Sequence, residues 1–219
     1  MLTQEQASLI EKTKAFVRDT LQNAEGGHDW WHINRVWNNA KLIARGEQAN
    51  QFIVELAALL HDIADAKFHG GNEDIGPQVA GDWLSSIHVD EETVRHVQQI
   101  IRYMSFKASF GEQVFSSPEM LIVQDADRLD AIGAIGIARA FSYGGFKGRA
   151  MYDPEIKPNL NMSKEEYKNT TAPTINHFYE KLLLLKDKMN TNTGKELAQE
   201  RHAFMESYLQ QFFLECGEE

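Results

Sequence analysis

Cysteine is nearly absent: the 219 residues contain one, Cys216. A lone thiol cannot close an intrachain disulfide, so stability must come from packing, and a free thiol in a reducing compartment is expected. Positive charge is also in short supply, with 22 Lys and Arg against 32 Asp and Glu and a net charge of −10. A dedicated binder of nucleic-acid polymers or anionic membranes needs a basic surface field, and this chain lacks one. Any anionic substrate must be met by local charge, either a metal ion or a few Lys and Arg. Long apolar runs are missing too. No stretch approaches the roughly 20 residues of a membrane-spanning helix. The opening MLTQEQASLIEKTKAF has neither the basic start nor the apolar core of a signal peptide. A soluble cytoplasmic protein is expected, as a monomer or a homodimer. No internal repeat or low-complexity tract interrupts it.

An apolar content of 42% is enough for a sizeable core. The dominant period is helical. Leu9, Ile10, Phe16, Val17 and Leu21 outline a first amphipathic segment, and Ile33, Val36, Trp37, Ala40 and Ile43 a second, with Gly26-Gly27 as the turn between them. Phe52 to about Ala64 is apolar nearly all round, the mark of a helix buried at the centre of a domain. Further helices are predicted over Ile75–Ser85, Asp90–Met104 and Pro118 to about Phe141, the last with Ser116 and Glu119 as a capping box and Pro118 in its first turn. A Gly- and Lys/Arg-rich loop follows from Ser142 to about Met162, then helices near Ile175–Met189 and Lys195–Phe213. The predicted fold is all-α, with no convincing strand.

Three groups of residues carry chemistry. They are His32 in GHDWWHINRVW, the pair His61-Asp62 in ALLHDIADAKFHGG, and the acidic cluster Asp125, Asp127 and Asp130 in LIVQDADRLDAIGAIG. Imidazoles mixed with carboxylates and no thiolate suit a borderline or hard divalent cation such as Mn²⁺, Fe²⁺, Co²⁺, Ni²⁺ or Mg²⁺. His61-Asp62 ends the most apolar helix in the chain, where an ionised Asp is costly without a compensating cation or hydrogen bonds. Neighbouring helical residues point about 100° apart, so one cation touches both only if it lies between their directions. His28 and His32 are four apart, but Gly26-Gly27 places His28 at or before the helix start, as a group that supports a ligand or faces phosphate rather than a ligand itself. Periodicity leaves Asp125 and Asp127 both open as the last ligand, and pairs Asp130 with Arg128 or another base, or with solvent. Arg35, Lys67, Lys147 and Arg149 are the cations available to a phosphate. Trp30, Trp31 and Tyr143 could stack on a base, although aromatic residues in helical proteins are more often core.

The order His32, His61-Asp62, then an Asp within Ala-Asp-Arg-Leu, with all of them on helices, resembles the HD superfamily of metal-dependent phosphohydrolases. The phrases GHDWWHINRVW, LLHDIADAKF and DADRLDAIGAIGIAR are similar to its small bacterial single-domain branch, over residues 26 to 150. The resemblance implies a compact multi-helix HD-domain fold with a metal site between central helices. It implies one domain spanning 1–219, in which residues 151–219 form a loop and C-terminal helices packed on the core. It implies one divalent ion, Mn²⁺ favoured, held by His32, His61, Asp62 and Asp127, the register of Asp127-Arg128-Leu129 favouring Asp127 over Asp125. Asp65, three residues after Asp62, matches the family's water-handling acid, although many relatives have Glu there, and Lys67 would assist at phosphate. The implied activity is hydrolysis of a small phosphorylated metabolite, a nucleotide, with pyrophosphohydrolysis of nucleoside triphosphates favoured over phosphatase or phosphodiesterase action. A non-catalytic nucleotide or metal sensor is the reading from another class. A dinuclear oxygenase would need further ligands among His69, His88 and His96; His96 is the one to watch, and no second HD-like pair accompanies it.

Overall fold

The computed structural model describes residues 2–22, 29–64, 74–104, 115–163, 166 and 170–218. Among these, all regular structure is helical: α1 (Gln4–Thr20), α2 (Trp30–Ala44), α3 (Gln51–Leu60), α4 (Ile75–Ser86), α5 (Glu91–Tyr103), α6 (Pro118–Asp130), α7 (Gly133–Phe146), α8 (Thr174–Glu180), a 3₁₀ segment (Leu182–Lys188) and α9 (Asn192–Glu215). None of the described helices is long and apolar enough to cross a membrane. The all-α expectation is met. The chain divides into two compact units, one of residues 1–127 with 190–194, the other of 128–189 with 195–219.

The first unit is built around α3. Its residues Phe52 to Leu60 are all buried, and it packs against α1, α2 and α5 while α4 pairs with α5. The starts of α1, α2, α3 and α5 are each specified by a short polar side chain, whereas Asp74 makes no side-chain cap on α4. Thr3 and Gln6 form a reciprocal capping box on α1, Asp29 accepts from His32 N at 2.9 Å on α2, and Asn50 accepts from Phe52 N at 3.1 Å on α3. Asp90 caps α5 through Thr93 N at 2.9 Å, and these Thr93 hydrogen bonds hold its carboxyl below the usual range. Such caps satisfy the otherwise orphaned first N–H groups. On α6 the cap is Ser117, whose Oγ accepts from Met120 N at 3.1 Å, one residue later than the expected Ser116. Glu119 does not close a box there; its Oε1 reaches across to accept the Asn50 N–H at 2.8 Å.

That part-buried bond stands beside two buried polar links, and together the three join α2, α3 and α6 in pairs. Trp37 Nε1 donates to Glu55 Oε2 at 2.9 Å between α2 and α3, and Asn39 Nδ2 donates to the Ala126 carbonyl at 3.2 Å between α2 and α6. Glu55 is 2% exposed, but Gln51 Nε2 occupies its other oxygen at 2.9 Å. A buried carboxylate so satisfied escapes most of the penalty of desolvation.

The second unit has its own core of Ile137, Ile175, Phe178, Leu182, Met205 and Leu209. Around it stands an aromatic cluster in which Phe141 lies 6.0 Å from Phe178 and 6.2 Å from Tyr208. Three expected boundaries move. The helix predicted from Pro118 to about Phe141 is two helices, because Gly133 takes φ 73° after an extended Ile132, a left-handed turn only glycine adopts freely. The second of these continues through Ser142 to Phe146, into the stretch expected to be loop. The segment expected as one helix over Ile175–Met189 becomes α8 and a tighter 3₁₀ run.

Candidate metal centre

Three elements of the first unit bring the site together. Asp29 fixes the start of α2 and thereby His32 in its first turn, where the imidazole is 2% exposed. Helix α3 was expected to run to about Ala64 but ends at Leu60, leaving His61 as its C-cap and Asp62 in the turn beyond. Asp127 sits in the last turn of α6.

The tautomer of His61 follows from its surroundings. Its Nδ1 lies 2.9 Å from the Ala58 carbonyl, an atom that can only accept. Nδ1 therefore carries the proton, and Nε2 presents a lone pair. That Nε2 is buried and makes no hydrogen bond among the described residues. It faces Asp62 Oδ2 at 3.6 Å. His32 Nε2 lies 3.5 Å from the same Asp62 oxygen and 3.6 Å from Asp127 Oδ1. The two imidazole rings meet edge to face, with centroids 5.3 Å apart.

These separations are longer than the roughly 2.7–3.2 Å of an N–H···O bond. They match instead the spacing of atoms around a shared cation: ligands at about 2.0–2.1 Å in octahedral geometry lie about 3 Å apart when adjacent and about 4 Å when opposite. The ligand atoms of His32, His61 and Asp127 all fall within 4.8 Å of one another. The side chains of Asp62 and Asp127 are 24% and 45% exposed while both imidazoles are 2% exposed, so the nitrogens form the floor of the site and the carboxylates its solvent edge. The donor set fits a divalent cation.

The acidic cluster separates by role. Asp125 is fully buried, and its carboxylate accepts from the backbone N–H groups of Asn190 and Thr191 and from both of their side chains, at 2.8 to 3.0 Å. It staples the 190–194 turn onto α6, and a Cβ on Gly194 would stand 2.5 Å from Asp125 Oδ2. Asp130, 1% exposed, pairs with Arg139 in the second unit. Arg139 is thus the other base the sequence allowed for, and Arg128 donates to the Lys188 carbonyl at 2.6 Å. Asp127 alone of the three faces the histidines.

Arg35 lies one turn after His32 on α2 and is half-buried. Lys147 and Arg149 belong to the second unit, where Lys147 lies over the rings of Tyr143 and Phe146 at 5.7 and 5.3 Å and Arg149 donates to the Thr170 carbonyl at 2.6 Å. His28, Asp65, Lys67 and His69 lie outside the described residues. Trp31 is 62% and Tyr143 49% exposed, so neither is core; Trp30 is half-buried. His96 is engaged by Ser117 Oγ at 3.0 Å and Glu119 Oε2 at 3.5 Å, and His88 is an exposed turn residue with φ 63°. Asp29, Asn39 and Glu55 shape the site without having been singled out. Of these only Asp29 left a trace in the sequence, as a capping residue ahead of an apolar period.

Comparison with known proteins agrees with this geometry. The family model described as HD domain matches residues 30–132, which hold all four expected ligands. An HD-superfamily hydrolase from Bacillus thuringiensis has a crystal structure similar to this one, with TM-score 0.78, 46% identity and coverage of 98% of this chain and 100% of that one. The Bacillus subtilis protein YpgQ is 40% identical over 203 residues, 92% of this chain and 90% of its own. Its crystal structure in complex with ADP covers 96% of each chain with TM-score 0.76, at 36% identity in that alignment.

Proposed function

Because the chain belongs to the HD superfamily and is a metal-dependent hydrolase, we propose that it hydrolyses a phosphate bond in a small phosphorylated metabolite, a nucleotide, with nucleoside triphosphate pyrophosphohydrolysis as the favoured reaction. The observation that carries this is the convergence of the His61 lone pair with His32 Nε2, Asp62 and Asp127. The nucleotide is supported by the ADP complex of YpgQ. The four side chains would hold one divalent cation, Mn²⁺ favoured because the set mixes imidazole nitrogen with carboxylate oxygen and has no thiolate. A cation bound there supplies Lewis acidity, making water easier to deprotonate and offsetting charge on the phosphoryl oxygens.

The chain's own groups would do the rest. The Ala58 carbonyl keeps the His61 proton on Nδ1 and so turns the Nε2 lone pair toward the site. Asp65 takes the proton of the attacking water as its oxygen adds to the α-phosphorus, and the bond to the β-phosphate breaks in line, with pyrophosphate leaving with the electron pair. Arg35 and Lys67 would contact the phosphates beside this centre, with His28 as a further contact; together they would offset substrate charge in a protein of net −10.

The test is product analysis. Metal-stripped protein refilled with Mn²⁺, Mg²⁺, Co²⁺ or Ni²⁺ is offered a panel of nucleotides, and phosphate and pyrophosphate are assayed separately. Pyrophosphate with a nucleoside monophosphate is expected. Phosphate alone would replace the proposal with a phosphatase, and a single nucleotide product from a cyclic or dinucleotide substrate with a phosphodiesterase. No product at confirmed metal occupancy would favour a sensor. Asp65→Asn separates catalysis from sensing, since it should abolish turnover and spare metal and nucleotide binding only if turnover exists.

A further inference from the structure

We propose that Asn39 is a positioning residue for Asp127, holding the end of α6 so that this carboxylate meets the two histidines; the proposal rests on Asp127 being a metal ligand. Asn39 comes seven residues after His32 on α2. Seven residues are two turns less about 20°, so both side chains leave the same face of the helix. One presents an imidazole to the site. The other reaches across to α6 and donates to the Ala126 carbonyl at 3.2 Å, in a buried setting one residue before Asp127.

Asp127 needs such a hold because little else among the described residues supplies one. Its side chain is 45% exposed, so packing does not fix its rotamer, and its placement is inherited from the backbone. That backbone belongs to the last turn of a helix whose next glycine is left-handed, where carbonyls run out of helical partners and the structure frays most readily. Asp125 anchors the preceding turn through Asn190 and Thr191. The Asn39 bond fixes the side of α6 turned toward α2, the helix that carries His32. Groups that orient a ligand without touching the metal typically change affinity by about 10–100-fold.

The experiment titrates Mn²⁺ into metal-free protein by calorimetry, for wild type, Asn39→Ala, Asn39→Asp, Asp127→Ala and the double variant Asn39→Ala/Asp127→Ala. Asn39→Asp keeps the side-chain shape and removes the donor, so it remains informative if the alanine variant unfolds. Trp83→Phe is the control, because it removes a comparable interhelical bond, Trp83 Nε1 to Thr13 Oγ1 at 3.1 Å, between helices that carry none of the ligands. Either Asn39 change is expected to weaken Mn²⁺ binding about 10-fold while Trp83→Phe lowers melting temperature without moving the Kd. In the Asp127→Ala background the Asn39 effect should vanish, as it must if it acts through that carboxylate. An unchanged Kd for both Asn39 variants, or a full effect persisting in the double variant, overturns the proposal. If Asp127→Ala itself leaves the Kd unchanged, the ligand assignment fails instead.

Discussion

At the scale of single residues, the same side chain type does opposite work according to its neighbours. Asp127 and Asp125 are two positions apart, yet one faces two imidazoles and the other is saturated by N–H and O–H donors. Asp127→Ala is therefore expected to cost more than about 10-fold in Mn²⁺ affinity with a small change in stability, read by calorimetric titration and urea unfolding. Asp125→Asn should do the reverse in kind. It turns an amide NH₂ toward buried donors and should destabilise by about 3 kcal/mol in urea unfolding. Sequence periodicity left these two open because both project onto partly apolar faces; only the partners in space distinguish them. His177 gives a pH signature. Burial, and then the positive charges of Lys181 and Arg149, push its pKa down from 6.5 to about 4. Between those values the unfolded chain binds a proton that the folded protein refuses, so its contribution is complete above pH 6.5 and is lost as pH falls through 4. Wild type should lose up to about 3 kcal/mol more than His177→Asn between pH 7 and pH 4, measured by urea unfolding at each pH.

At the scale of elements, α3 was the most legible helix and also the most consequential. Its unbroken apolar composition pointed to the centre of the domain, and every residue from Phe52 to Leu60 is buried. Leu56→Ala should cost about 2–5 kcal/mol by transfer and cavity together, read as a lower denaturation midpoint. Where α3 stops was less legible. Ile63 and Ala64 continue the apolar period, so the pattern ran on, whereas the chain turns at His61 and so lets His61 and Asp62 aim at one point. The break between α6 and α7 was hidden for a similar reason. Ala131 and Ile132 fit a helix, and Gly133 reads equally as a tolerated interior glycine or a left-handed stop. Tertiary packing chose the stop, with Arg201 donating to the Leu129 carbonyl at 2.5 Å in the opened turn. The polar links between helices were not legible at all, because Asn39 with Ala126 and Asn50 with Glu119 are separated by 87 and 69 positions. No local pattern encodes such a pairing.

At the scale of the whole molecule, the proposed ligands come from three stretches far apart in sequence, so an unfolded chain cannot hold a cation with all of them at once. Binding must then favour the folded state by mass action. With Mn²⁺ at about 100 times its Kd the gain is about 2.7 kcal/mol, which in a chain of this length raises the melting temperature by about 5–10 °C. The same experiment addresses domain organisation. The matched solved structures span essentially the whole chain, and the contacts within it divide into two compact units. All four proposed ligands belong to the first unit. If the chain behaves as one domain, scanning calorimetry should give a single transition that Mn²⁺ moves as a whole, with calorimetric and van't Hoff enthalpies equal. Two transitions, of which Mn²⁺ moves only one, would mean that the units melt separately and that the cation stabilises only the unit that binds it. Asp127→Ala supplies the internal check: its transition should shift with Mn²⁺ by much less than the wild type's.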